Sequence, residues 1–239
     1  MDLSKASLDQ LRKELLRQEN CQKMPKRNLI LLGPPGSGKG TQSRFLINDF
    51  CFCHIATGDL LREAVSKQSQ SGLKAKEAMD KGLLVSDEIV NEIIIDELRS
   101  PQCSRGIIFH GYPRNQDQAE NLEKLLESEG KKLDHVIDLK MDEDQLIVRV
   151  EGRKVHPESG RTYHEKYNPP KIAGRDDVTG EPLIHRDDDN KEILRTRLEN
   201  YNLKTRPIYE FYNRKRILYT VDAMKRLDDV RSDIKKLLI

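Results

Sequence analysis

A glycine-rich stretch near the start of the chain has the residue types and spacing that bind phosphate groups. Residues 33–41 read GPPGSGKGT, which fits the P-loop pattern with one departure, because Gly40 stands between Lys39 and Thr41. An apolar run at 28–32 precedes the stretch, and a helix-like segment follows it. In that setting backbone N–H groups and the helix N-terminus attract phosphate oxygens, and Lys39 adds a mobile cation. The sequence therefore predicts a site for a nucleoside triphosphate.

Six arginines are the second chemical clue. They fall at predicted helix starts, strand ends or hinges of inserted segments: Arg62, Arg114, Arg149, Arg153, Arg186 and Arg197. A planar guanidinium can bridge two phosphate oxygens, so a group of arginines could neutralise several phosphates. Arg149 and Arg153 have i, i+4 spacing, which predicts that they share one helical face. Arg195 and Arg197 flank Thr196, so only one of the two can face inward.

Composition narrows the class of partner. The chain has 239 residues and a net charge of +2, and only 5% of its residues are aromatic. These values provide neither the field nor the stacking surface that nucleic acid requires. No apolar run approaches the roughly 18–20 residues of a membrane helix, and the N-terminus resembles no targeting segment. The sequence has no Asn-Lys-x-Asp motif for a guanine base, which argues against a GTPase. We therefore expect small-molecule substrates, with neither nucleic acid nor a membrane as partner.

The cysteines give no sign of a metal or disulfide framework. Cys51 and Cys53 lie in an apolar, strand-like run, and there is no second pair at zinc spacing. We expect Cys21, Cys51, Cys53 and Cys103 to be free, reduced thiols in a cytosol-like compartment.

The elements that position these groups follow from apolar periodicity. Strand-like and helix-like segments alternate along the chain, which predicts a parallel sheet covered by helices on both faces. From 155 to 189 the chain is rich in Pro, Gly and charge, which predicts a small insert with little core. The helical pattern that resumes near Asn190 should break at Pro207. A helix at 6–20 should pack on the body, with partner docking as the alternative, through Leu8, Leu11, Leu15 and Leu16.

The order of the motifs resembles the adenylate kinase family of the long-lid type, closest to its eukaryotic branch, over 28–239. The matching segments are GPPGSGKGTQ (33–42), ATGDLLR (56–62), GLLVSDE (82–88), GYPRNQDQAE (111–120), EGRKVH (151–156), SGRTYH (159–164), NPP (168–170), DDVTGEPL (176–183) and RDDDN (186–190). The resemblance implies an α/β P-loop fold with three layers, a five-stranded parallel sheet and two inserts. The implied division is an N-terminal extension helix (1–24), a core (25–56, 88–153 and 191–239), an AMP-binding insert (57–87) and a lid (154–190).

The resemblance also implies a reaction and the residues that perform it. ATP, bound with Mg²⁺, would transfer its γ-phosphoryl group reversibly to AMP, giving two ADP, under a lid that excludes water. Because the acceptor phosphate is already anionic, catalysis would need positioning and charge neutralisation and no proton acceptor. The implied ATP contacts are Gly36, Ser37, Gly38, Lys39, Gly40, Thr41, Arg149, Arg153, Thr162, Tyr163 and Lys225. The implied AMP contacts are Thr57, Arg62, Leu83, Leu84, Val85, Gly111, Tyr112, Pro113, Arg114, Gln118, Arg186 and Arg197. The implied catalytic cations are Lys39, Arg114, Arg149, Arg153, Arg186 and Arg197.

Two segments depart from the family pattern. His110 stands where an aspartate normally holds Mg²⁺ through its water shell. Asp59 could perform that task alone, the enzyme could be slow or pH-sensitive, or the protein could be a nucleotide-binding sensor with weakened catalysis. The residues at 115–117 resemble those of pyrimidine monophosphate kinases, so another nucleoside monophosphate is an alternative acceptor, although Gln118 and the long lid favour AMP.

The lid has its own departure. Some relatives carry four cysteines around zinc where this chain has His156, Ser159, Asp176 and Thr179. Serine and threonine are poor zinc ligands, so we expect a hydrogen-bonded polar cluster and no structural zinc. His164 should form a lid hydrogen bond or face solvent.

We expect a monomer in the cytoplasm, with the mitochondrial intermembrane space as the alternative compartment.

Overall fold

A parallel sheet forms the centre of the molecule. The computed structural model describes residues 7–186 and 188–239. The strands in chain order are β1 (Arg27–Leu32), β2 (Cys53–Ala56), β3 (Gly106–His110), β4 (His135–Lys140), β5 (Arg153–Val155), β6 (Thr162–His164) and β7 (Leu218–Asp222). Five of them form one sheet in the order β2–β3–β1–β4–β7, and every neighbouring pair in it is parallel. The predicted α/β class with a five-stranded parallel sheet is confirmed.

Helices cover both faces of this sheet. They are α1 (Leu8–Lys23), α2 (Lys39–Phe50), α3 (Thr57–Ser66), α4 (Gln70–Asp80), α5 (Asp87–Leu98), α6 (Gln116–Ser128), α7 (Glu143–Glu151), α8 (Lys191–Asn200), α9 (Ile208–Arg214) and α10 (Leu227–Leu238). Alternate β1 residues enter two separate apolar clusters: Ile30 joins α5, α6 and α9 on one face, and Leu31 joins α2 and α10 on the other. The strands are therefore buried on both sides, which explains their continuous apolar runs.

The long C-terminal helix breaks earlier than the sequence predicts. A π-helical turn, Tyr201–Thr205, separates α8 from α9, and Pro207 only caps α9. In this turn the Thr205 hydroxyl donates to the carbonyl of Arg114 at 2.8 Å. The wider turn thus ties the C-terminal helices to the loop after β3, a tertiary contact that local periodicity does not reveal.

The lid region has little apolar core. Strands β5 and β6 form a two-stranded antiparallel sheet, and Val155 and Tyr163 are its buried hydrophobic residues. Asp176 instead organises the lid, because its carboxylate accepts hydrogen bonds from Arg161 at 2.7 Å and from Tyr163 at 2.9 Å. The expected polar cluster is present, and the absence of zinc from it stays a prediction. The division into core, insert and lid likewise stays a prediction.

The N-terminal helix contradicts the expected packing face. Leu8, Leu15 and Leu16 are 77%, 61% and 58% exposed. Helix α1 instead contacts α2 through the side that carries Arg17 and Cys21. The apolar periodicity identified the helix correctly but not the face that it buries.

The prediction of free thiols is wrong. Cys21 is bonded to Cys51, and Cys53 is bonded to Cys103. Packing of α1 on the end of α2 brings the first pair to a Cα–Cα distance of 5.5 Å, within the range that a disulfide requires. The partners lie 30 and 50 residues apart in sequence, so their spacing gave no sign of the pairing. The inference of a reducing compartment from free thiols loses its basis.

Among the described helices, none combines the length and the apolar character needed to cross a membrane.

Candidate active site

The glycine-rich loop lies between the carboxyl end of β1 and the first turn of α2. Gly33 has a φ of +134°, and a Cβ there would stand 2.8 Å from the carbonyl oxygen of Leu139. Only glycine fits that position, because the backbone conformation and the close approach both exclude a side chain. The loop therefore passes tightly over β4 and leads directly into α2, whose N-terminus stabilises an anion.

Lys39 is held inside this loop. Its Nζ donates to the carbonyl oxygens of Gly33 at 2.7 Å and Pro34 at 2.9 Å. Burial, and after it the charges of Arg197 and Arg114, lower the pKa of Lys39 to about 7. A phosphate anion in the loop would reverse that shift, because an opposite charge favours the protonated amine.

A cavity of about 650 Å³ opens above the loop. Its walls include Lys39 and all six arginines of the predicted set, Arg62, Arg114, Arg149, Arg153, Arg186 and Arg197. Arg149 lies on α7, but Arg153 begins β5, so the expectation that the two share a helical face is wrong. Of the neighbouring pair at 195 and 197, Arg197 faces the cavity and Arg195 is exposed. The arginines converge through tertiary structure and come from helices, strands and loops alike.

Acidic side chains pair with several of these arginines. Asp188 lies 2.9 Å from Arg197 and 3.7 Å from Arg62, and Asp189 pairs with Arg153. Asp59 accepts from Arg62 at 2.5 Å. Although burial raises it, the pKa of Asp59 is held at about 2, mainly by the charge of Arg62. The motif at 186–190 suggested this acidic run, but sequence reasoning did not assign its aspartates as counterions of the site.

A second, smaller cavity of about 60 Å³ adjoins the first and shares Arg62, Arg114 and Arg197 with it. Gln118 lies buried in its wall, where its Oε1 accepts from the backbone N–H of Arg114 at 2.7 Å. Its Nε2 donates to Asp87 at 2.5 Å. The two cavities together are lined by every residue for which the sequence predicts an ATP or AMP contact. Their individual roles stay predictions.

The lid lies down on the P-loop helix. The hydroxyls of Thr41 and Thr162 are 3.1 Å apart, and Arg44 donates to the carbonyl of Ser159. Arg186, at the other end of the lid, lies 3.5 Å from Asp59 on α3. Residues 154–190 therefore contact both α2 and α3 across the cavity. Sequence reasoning missed Arg44, because its position in α2 is the only feature that could have indicated this contact.

The more peripheral predicted residues have clear positions as well. His164 is within 3.2 Å of the carbonyl oxygen of Val148, a lid hydrogen bond of the expected kind. The side chain of Lys225 pairs with Asp233 at 2.7 Å and is exposed, while its chain segment lines the large cavity beside α2. The contact of its backbone with a nucleotide base stays a prediction.

Comparison with known proteins decides the family. The adenylate kinase family model matches residues 31–217. Adenylate kinase 4 of Oryza sativa subsp. japonica is 47% identical over 95% of this chain and 94% of its own length. Adenylate kinase 4 of Arabidopsis thaliana is 45% identical over 99% and 96%, and the adenylate kinase of Kluyveromyces lactis is 49% identical over 88% and 93%. The chain belongs to the adenylate kinase family. It is therefore a nucleoside monophosphate kinase, a phosphotransferase.

One position in this adenylate kinase site differs from the family pattern. His110 ends β3 and lines the large cavity beside Gly40 and Asp59. Its ring stacks on His54 of β2 with 5.6 Å between ring centroids. Sequence reasoning singled out His110 but missed His54, because only the parallel β2–β3 register places the two side chains on one face.

The oxygen donors present fit a magnesium ion carried by a nucleotide. The hydroxyl of Thr41 follows the loop lysine, and the carboxylate of Asp59 lines the same cavity. Mg²⁺ prefers oxygen ligands and retains several waters, so substrate phosphates with one hydroxyl and one nearby carboxylate suit it. Within residues 7–186 and 188–239, no group of three or more His, Cys, Asp or Glu side chains is arranged to hold a metal by itself.

Proposed function

We propose that this protein transfers the γ-phosphoryl group of ATP to AMP, reversibly, and so forms two ADP. One observation supports this most directly. A phosphate-binding loop and six arginines face a single cavity that runs into a second, glutamine-lined one. Two phosphate chains that meet end to end need such a concentration of cations, and a simple nucleotide hydrolase does not.

On the donor side, the loop backbone from Gly36 to Thr41 would hold the ATP phosphates and Lys39 would contact the transferring group. Arg149 would lie along the phosphate chain, since its guanidinium is already held by the ring of Tyr167, 4.8 Å away. Arg153, Thr162 and Tyr163 would close over ATP from the lid, and the backbone at Lys225 would meet the base. Mg²⁺ bound to ATP would neutralise phosphate charge, with Asp59 and the Thr41 hydroxyl nearest to it among the oxygen donors.

On the acceptor side, Gln118 would read the adenine edge from the wall of the small cavity. The phosphate of AMP would sit near Arg62 and Arg114, which are shared by both cavities. Thr57, the backbone at Leu83, Leu84 and Val85, and the turn at 111–113 would enclose the nucleoside. Arg186 and Arg197 would then span the phosphates of both substrates.

The chemistry needs no proton acceptor. The attacking oxygen belongs to an anionic phosphate, so the cavity has only to align the two substrates in line and offset their mutual repulsion. Asp188 and Asp189 hold the arginines in place in the free protein. Phosphate oxygens would take over those arginines when substrates bind. The lid contacts at Thr41 and Ser159 would exclude water and so suppress hydrolysis of ATP.

A coupled assay of ADP formation tests this proposal. ATP with Mg²⁺ should yield ADP rapidly only when AMP is added, and CMP or UMP should replace AMP poorly. Equal rates of ATP consumption with and without AMP would contradict the proposal. A preference for CMP or UMP would instead assign the protein to another acceptor nucleotide. Binding of both nucleotides without any turnover would show a sensor.

We also propose that the protein acts as a monomer in the cytoplasm. All the predicted substrate contacts line cavities of one chain, which supports a monomer. The alternative compartment is the mitochondrial intermembrane space, with which two disulfides are compatible. Light scattering tests the mass in solution, and subcellular fractionation distinguishes the two compartments.

A further inference from the structure

The side chain of His110 is unusual in its hydrogen bonding. Its Nδ1 is buried and has no hydrogen-bond partner among the described residues, and the same is true of Nε2 of His54 beside it. Buried polar nitrogens nearly always have a partner, and both histidines line the large cavity, from which a bound group could supply one.

The ring edge of His110 points at the phosphate-binding loop. Its Cε1, which lies between the two ring nitrogens, is 3.4 Å from the place where a Cβ on Gly40 would stand. An atom at that place would be in ordinary van der Waals contact with the ring, so the ring lies directly beside Gly40. The nitrogens of His110 therefore lie next to the segment that holds triphosphate oxygens.

Charge determines which kind of ligand fits. Lys39, Asp59 and Arg186 act electrostatically on His110, while burial and the neighbouring His54 keep its pKa well below the usual value. A neutral imidazole offers a nitrogen lone pair rather than a second anion. An imidazole nitrogen is a good ligand for Co²⁺, Ni²⁺ and Zn²⁺ and a poor one for Mg²⁺.

We propose that His110 is a direct nitrogen ligand of the divalent ion that the triphosphate carries, and that it shifts the metal preference of the site from Mg²⁺ toward Co²⁺ and Zn²⁺. The inference rests on the proposed binding of a triphosphate at the loop, because the described side chains alone do not complete a metal site. His54 acts as a positioning residue, since its ring is stacked on that of His110 at an interplanar angle of 11°. The phosphate oxygens and water complete the coordination.

Spectroscopy of the Co²⁺ complex tests the ligand without relying on activity. The full-length protein, labelled with ¹⁵N in its histidine rings, is saturated with Co²⁺ and a dinucleotide in which two adenosines are joined through a chain of phosphates. A histidine bound to Co²⁺ through one nitrogen should show a strongly shifted, exchangeable ring N–H signal. We expect one such signal in the wild type, its loss in H110N, and its retention in H135N. His135 is a matched control because it lies on β4 and packs against Tyr219, and it does not line the large cavity.

Metal competition gives the second measurement. Calorimetry of dinucleotide binding yields the concentrations of Mg²⁺ and Co²⁺ that support half-maximal binding. H110D should change their ratio in favour of Mg²⁺ by about tenfold or more, since loss of a metal partner usually has an effect of that size. A wild type without a histidine signal, or an unchanged ratio in H110D, would overturn the proposal. Dinucleotide that fails to bind the wild type at all would instead contradict the proposed kinase function.

Discussion

The phosphate-binding loop and the lid enclose the same cavity but are built in opposite ways. The loop is shaped by backbone: glycines with positive φ and a strand below it leave no room for another conformation. The lid is held by side chains, chiefly Asp176, Arg161 and His156, with little apolar core. The first arrangement is rigid and local in sequence, whereas the second is a network in which each polar group depends on its partner. Loss of one side chain should therefore affect chemistry in the loop but structure in the lid.

The largest effect is expected from Lys39→Met. The loop should keep its shape, because the glycines determine it, but the transferring group would lose its mobile cation. Removal of a donor to developing charge typically lowers kcat by about 10²–10³-fold. Steady-state kinetics and the thermal unfolding midpoint should show a slow enzyme of unchanged stability. Lys67→Met, at an exposed ion pair, is the control and should change neither quantity. A marked fall in the unfolding midpoint would show that Lys39 also holds the loop together through Gly33 and Pro34.

The contrast between structure that is local in sequence and structure that depends on packing also explains what could be predicted from the sequence. Loop, strand and helix follow one another within residues 28–50, so the phosphate site was evident from local spacing. The arginines could be listed but not grouped by geometry, and Arg153 proved to lie on a strand rather than a helix. The Cys21–Cys51 bond, His54 and the exposed leucines of α1 depend on how elements pack. Periodicity reports that a helix has an apolar face, but not whether anything covers it.

The lid should respond most to Asp176→Asn. The carboxylate of Asp176 is buried and paired with Arg161, and breaking a buried pair costs about 3 kcal/mol or more. Hydrogen exchange at the amides of Val178 and Thr179, which donate to Asp176, should accelerate by about a hundredfold. Amides of β1 should exchange as before. The exposed pair of Asp80 with Lys76 offers a matched control, because Asp80→Asn should have almost no effect. Equal acceleration in lid and core would mean that the two regions unfold as one unit.

The acceptor cavity should show an intermediate effect with Gln118→Ala. This change leaves the backbone N–H of Arg114 and one oxygen of Asp87 without their partner. KM for AMP should rise by about tenfold while KM for ATP stays constant, since an unmet buried hydrogen bond costs about 1–3 kcal/mol. Gln116→Ala, on the exposed side of the same helix, is the control. A parallel rise in both KM values would place Gln118 in a general structural role.

A pH titration separates the loop from the lid in a different way. The pKa of Lys39 is lowered to about 7 in the free protein, and bound phosphate should raise it toward its ordinary value. At pH values between the pKa of Lys39 in the free protein and its pKa in the complex, Lys39 takes up a proton when ATP binds. ATP affinity should therefore fall as pH rises above 7, by up to about tenfold per pH unit. Lys39→Arg should remove this slope, because arginine stays charged. The pKa of Asp176 is held well below its usual range by the hydrogen bond from Arg161, so it should remain ionised throughout and the lid should add no slope of its own. A slope that persists in Lys39→Arg would have to come from another group.

The smallest effect is expected where the loop meets β3. His110→Asp would restore an anionic oxygen acceptor beside Asp59, and at saturating Mg²⁺ we expect a severalfold rise in kcat. The gain is limited because Asp59 and the arginines already organise the phosphates, and because two close carboxylates repel each other. His135→Asn serves as the control for general effects of losing a histidine. If kcat and its dependence on Mg²⁺ were both unchanged, His110 would have no part in catalysis with that metal, and Asp59 alone would suffice. A fall in kcat would mean that the imidazole supports the phosphate-binding loop by packing on Gly40. The shape of that loop would then depend on a side chain as well as on its glycines.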